Sequence, residues 1–198
     1  MQSQLTFIGY GVFGRAIIDG LSSEANEYQS YSLALTHRRK EATEKLQNDY
    51  PQTLVTNDNT DTRIWMSPKH QENRHIVVIG TQPEYTANVC DDITQAFTLA
   101  GGTQELVVVT VCPGITTSQL ECWLPPNTPI VRTMPNTPIA IRQGATALFA
   151  NRSTSSVVAS EIQSIFKRMS PAVVFLPREE LMDIVASVSG YVYATRDM

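Results

Sequence analysis

The chain has 198 residues, 42% of them hydrophobic and 17% charged, with a formal net charge of −4 at pH 7. That length accommodates one large α/β domain, alone or with a short appendage, and can bury a real core. Mild acidity without a dense Lys/Arg run argues against broad nucleic-acid or membrane-surface binding.

Cys90, Cys112 and Cys122 are an odd number without C-x-x-C spacing, so they indicate neither a disulfide framework nor a zinc site and fit a reduced setting. No apolar run approaches the ~20 residues of a membrane span. A strand pattern begins almost at Met1 and leaves no room for a signal peptide, so the expected location is cytoplasmic.

The chain is organised around its first elements. Leu5-Thr6-Phe7-Ile8 reads as a strand, Gly9-Tyr10-Gly11-Val12-Phe13-Gly14 as a G-x-G-x-x-G turn, and Phe13, Ile17, Ile18 and Leu21 as the apolar face of a helix. In that setting Gly9 permits the sharp turn, Gly11 lets a pyrophosphate approach the backbone, and Gly14 lets helix and strand pack closely. Amides at the helix start, with the positive end of its dipole, favour an anion.

Further along, Ser22 to Ser30 is a polar connection and Tyr31–Thr36 a second strand, ending in His37-Arg38-Arg39-Lys40. An acid near this point suits the ribose hydroxyl of NAD, whereas arginine suits the 2′-phosphate of NADP. The first acid here is Glu41, so the pattern points to NADP and to Arg38 and Arg39 as its phosphate ligands. A helix over Glu41–Tyr50, a short strand Thr53–Thr56 and the polar Asn57-Asp58-Asn59 follow, with Asp61 to Asn73 irregular around Pro68.

His75–Gly80 is a continuous apolar run suited to a central strand buried on both faces, stopped by Thr81-Gln82-Pro83. Tyr85–Leu99 is helical by the apolar spacing of Tyr85, Val89, Ile93 and Phe97, with Gly101-Gly102 as its stop, and Leu106–Val111 is a strand closed by Cys112-Pro113-Gly114. Thr116 or Thr117 caps a short helix to Trp123. Strands at Ile130–Thr133, Ala145–Phe149 and Ala172–Leu176 and a helix from Ser155 to Met169 complete the alternation.

Such a sequence predicts a Rossmann-type α/β fold, a doubly wound and mostly parallel sheet with helices on both faces. Its ligand edge is then built from the strand ends. His37, His70 and His75 are expected at surface or strand-edge positions without a catalytic role.

Val131-Arg132-Thr133-Met134-Pro135-Asn136-Thr137-Pro138, followed by Gly144-Ala145-Thr146-Ala147-Leu148, resembles the signature of the 1-pyrroline-5-carboxylate reductases. The glycine turn, Asp58-Asn59, the strand stop at Pro83, Ile115-Thr116, and Glu180-Leu181-Met182-Asp183 leading to Val188-Ser189-Gly190 fall in matching order. The likeness runs from about Leu5 to Gly190.

The resemblance implies hydride transfer from NADPH, or less favourably NADH, to a cyclic imine, giving L-proline. It places residues 9 to 14 at the pyrophosphate, Asn59 at the adenosine ribose, Cys112, Pro113 and Gly114 beside the nicotinamide, Met134 among the cofactor-binding residues, and Asn136 and Thr137 at the nicotinamide and imine. Thr81, Gln82 and Pro83 stand where the family carries Val-Lys-Pro or similar, so the lysine is replaced. A protonated imine carbon is already electrophilic, so no strong protein base is needed, and the protein's task is orientation and exclusion of water.

The family continues past this point into a helical dimerisation domain. Residues 1–177 are therefore expected to form the NAD(P)-binding domain and 178–198 the start of that region, with homo-oligomers implied. Two alternatives stand beside the enzyme: an NADP-binding module or regulatory protein without catalysis, and a related imine reductase. Other NADP-linked dehydrogenases carry different residues at Met134–Pro138.

Overall fold

The computed structural model describes residues 3–22, 31–66, 74–102 and 105–194. In chain order the elements are β1 (Ser3–Ile8), α1 (Val12–Ser22), β2 (Tyr31–Thr36), α2 (Lys40–Asp49), β3 (Leu54–Thr56), α3 (Thr62–Trp65), β4 (Arg74–Ile79), α4 (Pro83–Leu99), β5 (Glu105–Thr110), α5 (Thr117–Trp123), β6 (Ile130–Pro135), a 3-10 turn (Thr137–Ile141), β7 (Ala145–Ala150), α6 (Ser156–Lys167), β8 (Ala172–Phe175) and α7 (Leu181–Ala194).

The eight strands of the described residues form one sheet in the order β3-β2-β1-β4-β5-β6-β7-β8. β7 runs antiparallel to β6 and every other pairing is parallel. The strand order reverses between β1 and β4, and a sheet that turns back in this way opens a crevice at the carboxyl ends of those two strands.

The strand residues divide between two faces by the period of two. Ile76 and Val78 of β4 and Val107 and Val109 of β5 pack with Ile17 and Ile18 of α1 and Ile162, Ile165 and Phe166 of α6. Their neighbours Val77, Ile79, Leu106 and Val108 pack with Ile64 and Trp65 of α3, Val89, Cys90 and Ile93 of α4 and Leu120 of α5. Both faces of β4 are thus buried, and each such side chain contributes roughly 1.5–3 kcal/mol.

Differences from the sequence reading are local. The segment expected to be irregular from Asp61 holds α3, because the Asp61 carboxylate caps it by accepting from the Arg63 amide while Ile64 and Trp65 turn into the core. The remainder of that segment, including His70, lies outside the described residues, as does most of the Ser22 to Ser30 connection. α4 begins at Pro83, two residues early, since the fixed φ of proline suits a first helical turn.

α5 carries the expected cap: Thr116 Oγ1 accepts from the Gln119 amide and the Gln119 side chain accepts from the Thr116 amide. His75 corrects its expectation, being 1% exposed in β4 with Nε2 2.8 Å from Thr6 Oγ1. At the amino-terminal rim Arg74 donates to Glu105 of β5 and to Glu161 of α6, and Tyr31 Oη donates to Glu161.

No helix of the described residues is long and apolar enough to cross a membrane.

Candidate functional site

The glycine turn forms a close junction between β1 and β4. Gly9 has φ +80°, a conformation side-chain-bearing residues avoid, and an added Cβ would lie 2.5 Å from Thr81 Cγ2 and 2.9 Å from Thr81 N. Gly80 faces it: its amide donates to the Ile8 carbonyl at 2.8 Å, and a Cβ there would lie 2.8 Å from the Gly9 carbonyl. The close approach expected of Gly14 is therefore made by Gly80, which the sequence disguised as a strand end. A Cβ on Gly14 would meet Tyr10, Gly9 and Phe7 at ordinary contact distances of 3.7 to 4.0 Å.

Gly11 is different again. It is exposed, and an added Cβ would find only the Gly80 carbonyl, at 4.0 Å. The first helical bond runs from the Arg15 amide to the Gly11 carbonyl, so the amides of residues 12 to 14 precede the ladder of α1 and are open to an anion.

Above this junction lies a cleft of about 770 Å³, lined by Gly9, Tyr10, Gly11, Arg38, Arg39, Asn59, Thr81 and Gln82 among others. Tyr85, Asn88, Val89 and Asp92 form its α4 wall, an i, i+3, i+4, i+7 stripe of one helical face. Sequence reading used Tyr85 and Val89 only as a core pattern; the polar Asn88 and Asp92 beside them were the available signal.

The Arg38 guanidinium stacks 4.6 Å from the Tyr85 ring centroid. The Arg39 amide donates to His37 Nδ1 at 3.1 Å. Burial first, and the Arg39 charge second, lower the His37 pKa below its ordinary value, leaving its ring neutral at pH 7 and positive charge at this rim to the arginines and Lys40.

Asn59 is held from both ends of its amide. Thr36 Oγ1 donates to Oδ1 at 2.6 Å, Nδ2 donates to Asp92 Oδ2 at 2.8 Å, and the Asn59 carbonyl accepts from Trp65 Nε1 at 2.8 Å. Tyr10 is anchored likewise. Tyr50 Oη donates to Asp19 at 2.6 Å, so Tyr10 Oη donates to Tyr50 at 2.8 Å. Burial foremost, then the hydrogen bond to Asp19, hold the Tyr50 phenol far above its usual range, and the pair stays protonated.

The other expected residues lie outside the lining of this cleft. Phe13 packs its ring against the core, so only its backbone faces the loop. Pro83 is exposed at the start of α4. The Cys112 thiol is buried and donates to the Thr81 carbonyl at 2.8 Å. Gly114 has φ +74° with open space at its Cβ position, so its requirement is conformational.

Met134 is half-buried in β6. Asn136 Oδ1 accepts from the Ala145 amide at 2.8 Å and its own amide donates to the Ala145 carbonyl at 3.1 Å, pinning the turn before β7. Thr137 opens the 3-10 turn, which packs on α1.

Sequence reading missed a polar cluster below these segments. Arg132, 2% exposed in β6, donates to Glu179 Oε1 at 2.8 Å and to Asp183 Oδ1 at 3.4 Å. Glu179 Oε1 also accepts from the Thr117 amide and Oε2 from Thr117 Oγ1, both at 2.7 Å. Burial alone would raise the Glu179 carboxyl, but the bonds from Arg132 and Thr117 outweigh it and hold the carboxyl below its ordinary range.

The chain matches no protein-family model. It is 44% identical over 189 residues to a Delta-1-pyrroline-5-carboxylate reductase of Gibberella fujikuroi, covering 93% of this chain and 63% of the relative. The chain is homologous to the pyrroline-5-carboxylate reductases.

A pyrroline-5-carboxylate reductase of Mycobacterium leprae is 31% identical over 188 residues, covering 95% of this chain and 59% of the relative. The solved pyrroline-5-carboxylate reductase of Coxiella burnetii superposes with a TM-score of 0.81 at 25% identity, covering all of this chain and 68% of that one. A Plasmodium falciparum pyrroline carboxylate reductase, solved with NADP bound, gives 0.72 at 21%, covering 97% of this chain and 65% of that one. The chain spans less than two thirds of the length of these two curated relatives.

Proposed function

We propose that this chain is the dinucleotide-binding part of a pyrroline-5-carboxylate reductase, binding NADPH in the cleft and directing hydride transfer to 1-pyrroline-5-carboxylate to give L-proline. The observation that carries the reading is the open approach at Gly11 beside the start of α1: the protein's own atoms leave that space clear, as a diphosphate against backbone amides requires. The homologues named above support the reaction. Bound NADPH supplies the hydride.

The chain's residues supply grip and orientation. The amides of residues 12 to 14 receive the diphosphate, Tyr10 and the Thr36-Asn59-Asp92 bridge fix the walls, and Arg38 and Arg39 receive a 2′-phosphate. With two arginines and a neutral His37 at that end, NADPH is the tighter coenzyme. The segments 112–114 and 134–137 hold the ring and the imine further along the same sheet edge. We also take residues 1–177 as the dinucleotide-binding unit and α7 as the opening of a further helical region, with the cytoplasm as the compartment; the free thiols agree with the last.

A second reading, a nucleotide-binding module without turnover, has one observation in its favour. The Asn136 amide oxygen, expected at the imine, is already engaged by Ala145.

Fluorescence titration with NADPH and NADH, followed by a steady-state assay with the cyclic imine, tests both. Tighter NADPH binding with turnover supports the reductase, and binding without turnover supports the module. Tighter binding of NADH overturns the assignment of Arg38 and Arg39, and binding of neither coenzyme overturns both readings.

A further inference from the structure

The last paired residues of β5 and β6 are Thr110 and Arg132. Beyond them the chains separate, one through Cys112 to Gly114 and into α5, the other through Met134 to Asn136. Glu179 bridges the gap: one carboxylate accepts from Arg132, two residues before Met134, and from both the amide and the hydroxyl of Thr117, three residues after Gly114.

Arg132 and Thr117 are both buried, 2% and 5% exposed. A buried guanidinium needs a partner carboxylate, because an unpaired charge in the core is costly. That need would be met by any carboxylate touching Arg132 alone. The two further bonds to Thr117 do nothing for the arginine's charge, and they tie a second segment to the same side chain. Thr110 sits opposite Arg132 and adds to the tie from below, its carbonyl accepting from Thr133 Oγ1 at 3.1 Å and its Oγ1 accepting from the Cys112 amide at 3.1 Å.

We infer that Glu179 is a positioning residue that sets the width of the crevice between the 112–114 and 134–137 segments, and with it the seat of the nicotinamide end of the coenzyme. This rests on the reading of the preceding section, which places that end of the coenzyme between these segments. Glu179 lies just ahead of α7 and shares Arg132 with Asp183 of α7, so a displacement of that helix is transmitted to the crevice. Arg132, Thr117 and Glu179 are not among the residues that line the cleft, and their side-chain hydrogen bonds and ion pairs among the described residues run to one another and to Asp183, so the two ends are separable by experiment.

The full chain and its Glu179→Ala, Thr117→Val and Thr117→Ser variants are titrated with NADPH and with adenosine 2′,5′-bisphosphate, which lacks the nicotinamide end. Glu179→Ala is expected to bind NADPH at least about fivefold more weakly, because the widened crevice misplaces the groups that meet the nicotinamide end by the worth of about one hydrogen bond, while its affinity for the bisphosphate stays within about twofold of the parent. The emission of bound NADPH should shift with it. Thr117→Val, which keeps the amide bond and loses the hydroxyl, is expected to show the same split at smaller size, and Thr117→Ser to restore the parent values.

Thr117→Val decides the matter alone if Glu179→Ala does not fold. Unchanged NADPH emission and affinity in folded variants, or equal weakening of both ligands, overturns the inference while leaving the binding site in place. A parent chain that binds neither ligand overturns the inference together with the reading beneath it.

Discussion

The two ends of the sheet's carboxyl edge solve different problems. Around Gly9, Gly11 and Gly80 the protein removes side chains, and what remains is bare backbone facing a cleft of about 770 Å³. Around Arg132, Thr117 and Glu179 it fills the space with charged and polar side chains that satisfy one another. The first region is made to receive something; the second is made to hold its own walls apart. A change in the first should therefore act mainly on binding and a change in the second mainly on shape, and substitutions can break that contrast.

The largest effect is expected at the filled end. Glu179→Ala leaves Arg132 buried with only the longer contact to Asp183, and losing one partner of such a pair costs ~3–5 kcal/mol, read as a lower denaturation midpoint. pH sharpens the same point. The Glu179 carboxyl is held below its ordinary value in the folded chain, so its contribution is complete above that ordinary value and is lost as pH falls through the lowered one. Acid melts of the parent and Glu179→Gln should be furthest apart at neutral pH and draw together as pH falls below the ordinary glutamate value of about 4.3 toward the lowered one.

Next comes the glycine junction. Gly9→Ala meets both a positive φ and Thr81, and a cost of ~1–3 kcal/mol is expected with the cleft distorted; equal stability of parent and variant would show that the junction relaxes freely. Gly11→Ala is the sharper probe, since the chain itself has room for the methyl group. Its unfolding free energy should stay within about 0.5 kcal/mol of the parent while NADPH affinity falls roughly tenfold. Loss of stability without loss of affinity would reverse the roles assigned to the two glycines.

The smallest effect is expected from Tyr50→Phe. It removes the hydroxyl that links Tyr10 to Asp19, at about 1 kcal/mol, with a modest weakening of NADPH binding through the freed Tyr10 ring.

The same contrast explains what could be read from the residues alone. The receiving end is encoded locally: three glycines within six positions, a strand before and a helix after, and arginines at the end of the next strand. The signature Met134–Pro138 carried the resemblance for the same reason, being contiguous. The filled end is encoded across distance. Glu179 is 47 positions from Arg132 and 62 from Thr117, and neither hydrophobic periodicity nor capping rules reveal a bond between residues so far apart.

Gly80 drew no notice because it reads as the last residue of the apolar run His75–Gly80, and its close contact with Gly9 exists only once β1 and β4 lie side by side. The 3-10 turn at Thr137–Ile141 was hidden by Pro138, which excludes a long helix but suits a short turn.

The Arg74 cluster gives the sheet a hinge side. One guanidinium laces β4 to β5 and α6, and Tyr31 brings β2 to the same carboxylate, all on the rim away from the glycines. Like the spine of a bound volume, that rim fixes where the pages cannot part, and it lies at the margin opposite the one proposed to admit the coenzyme.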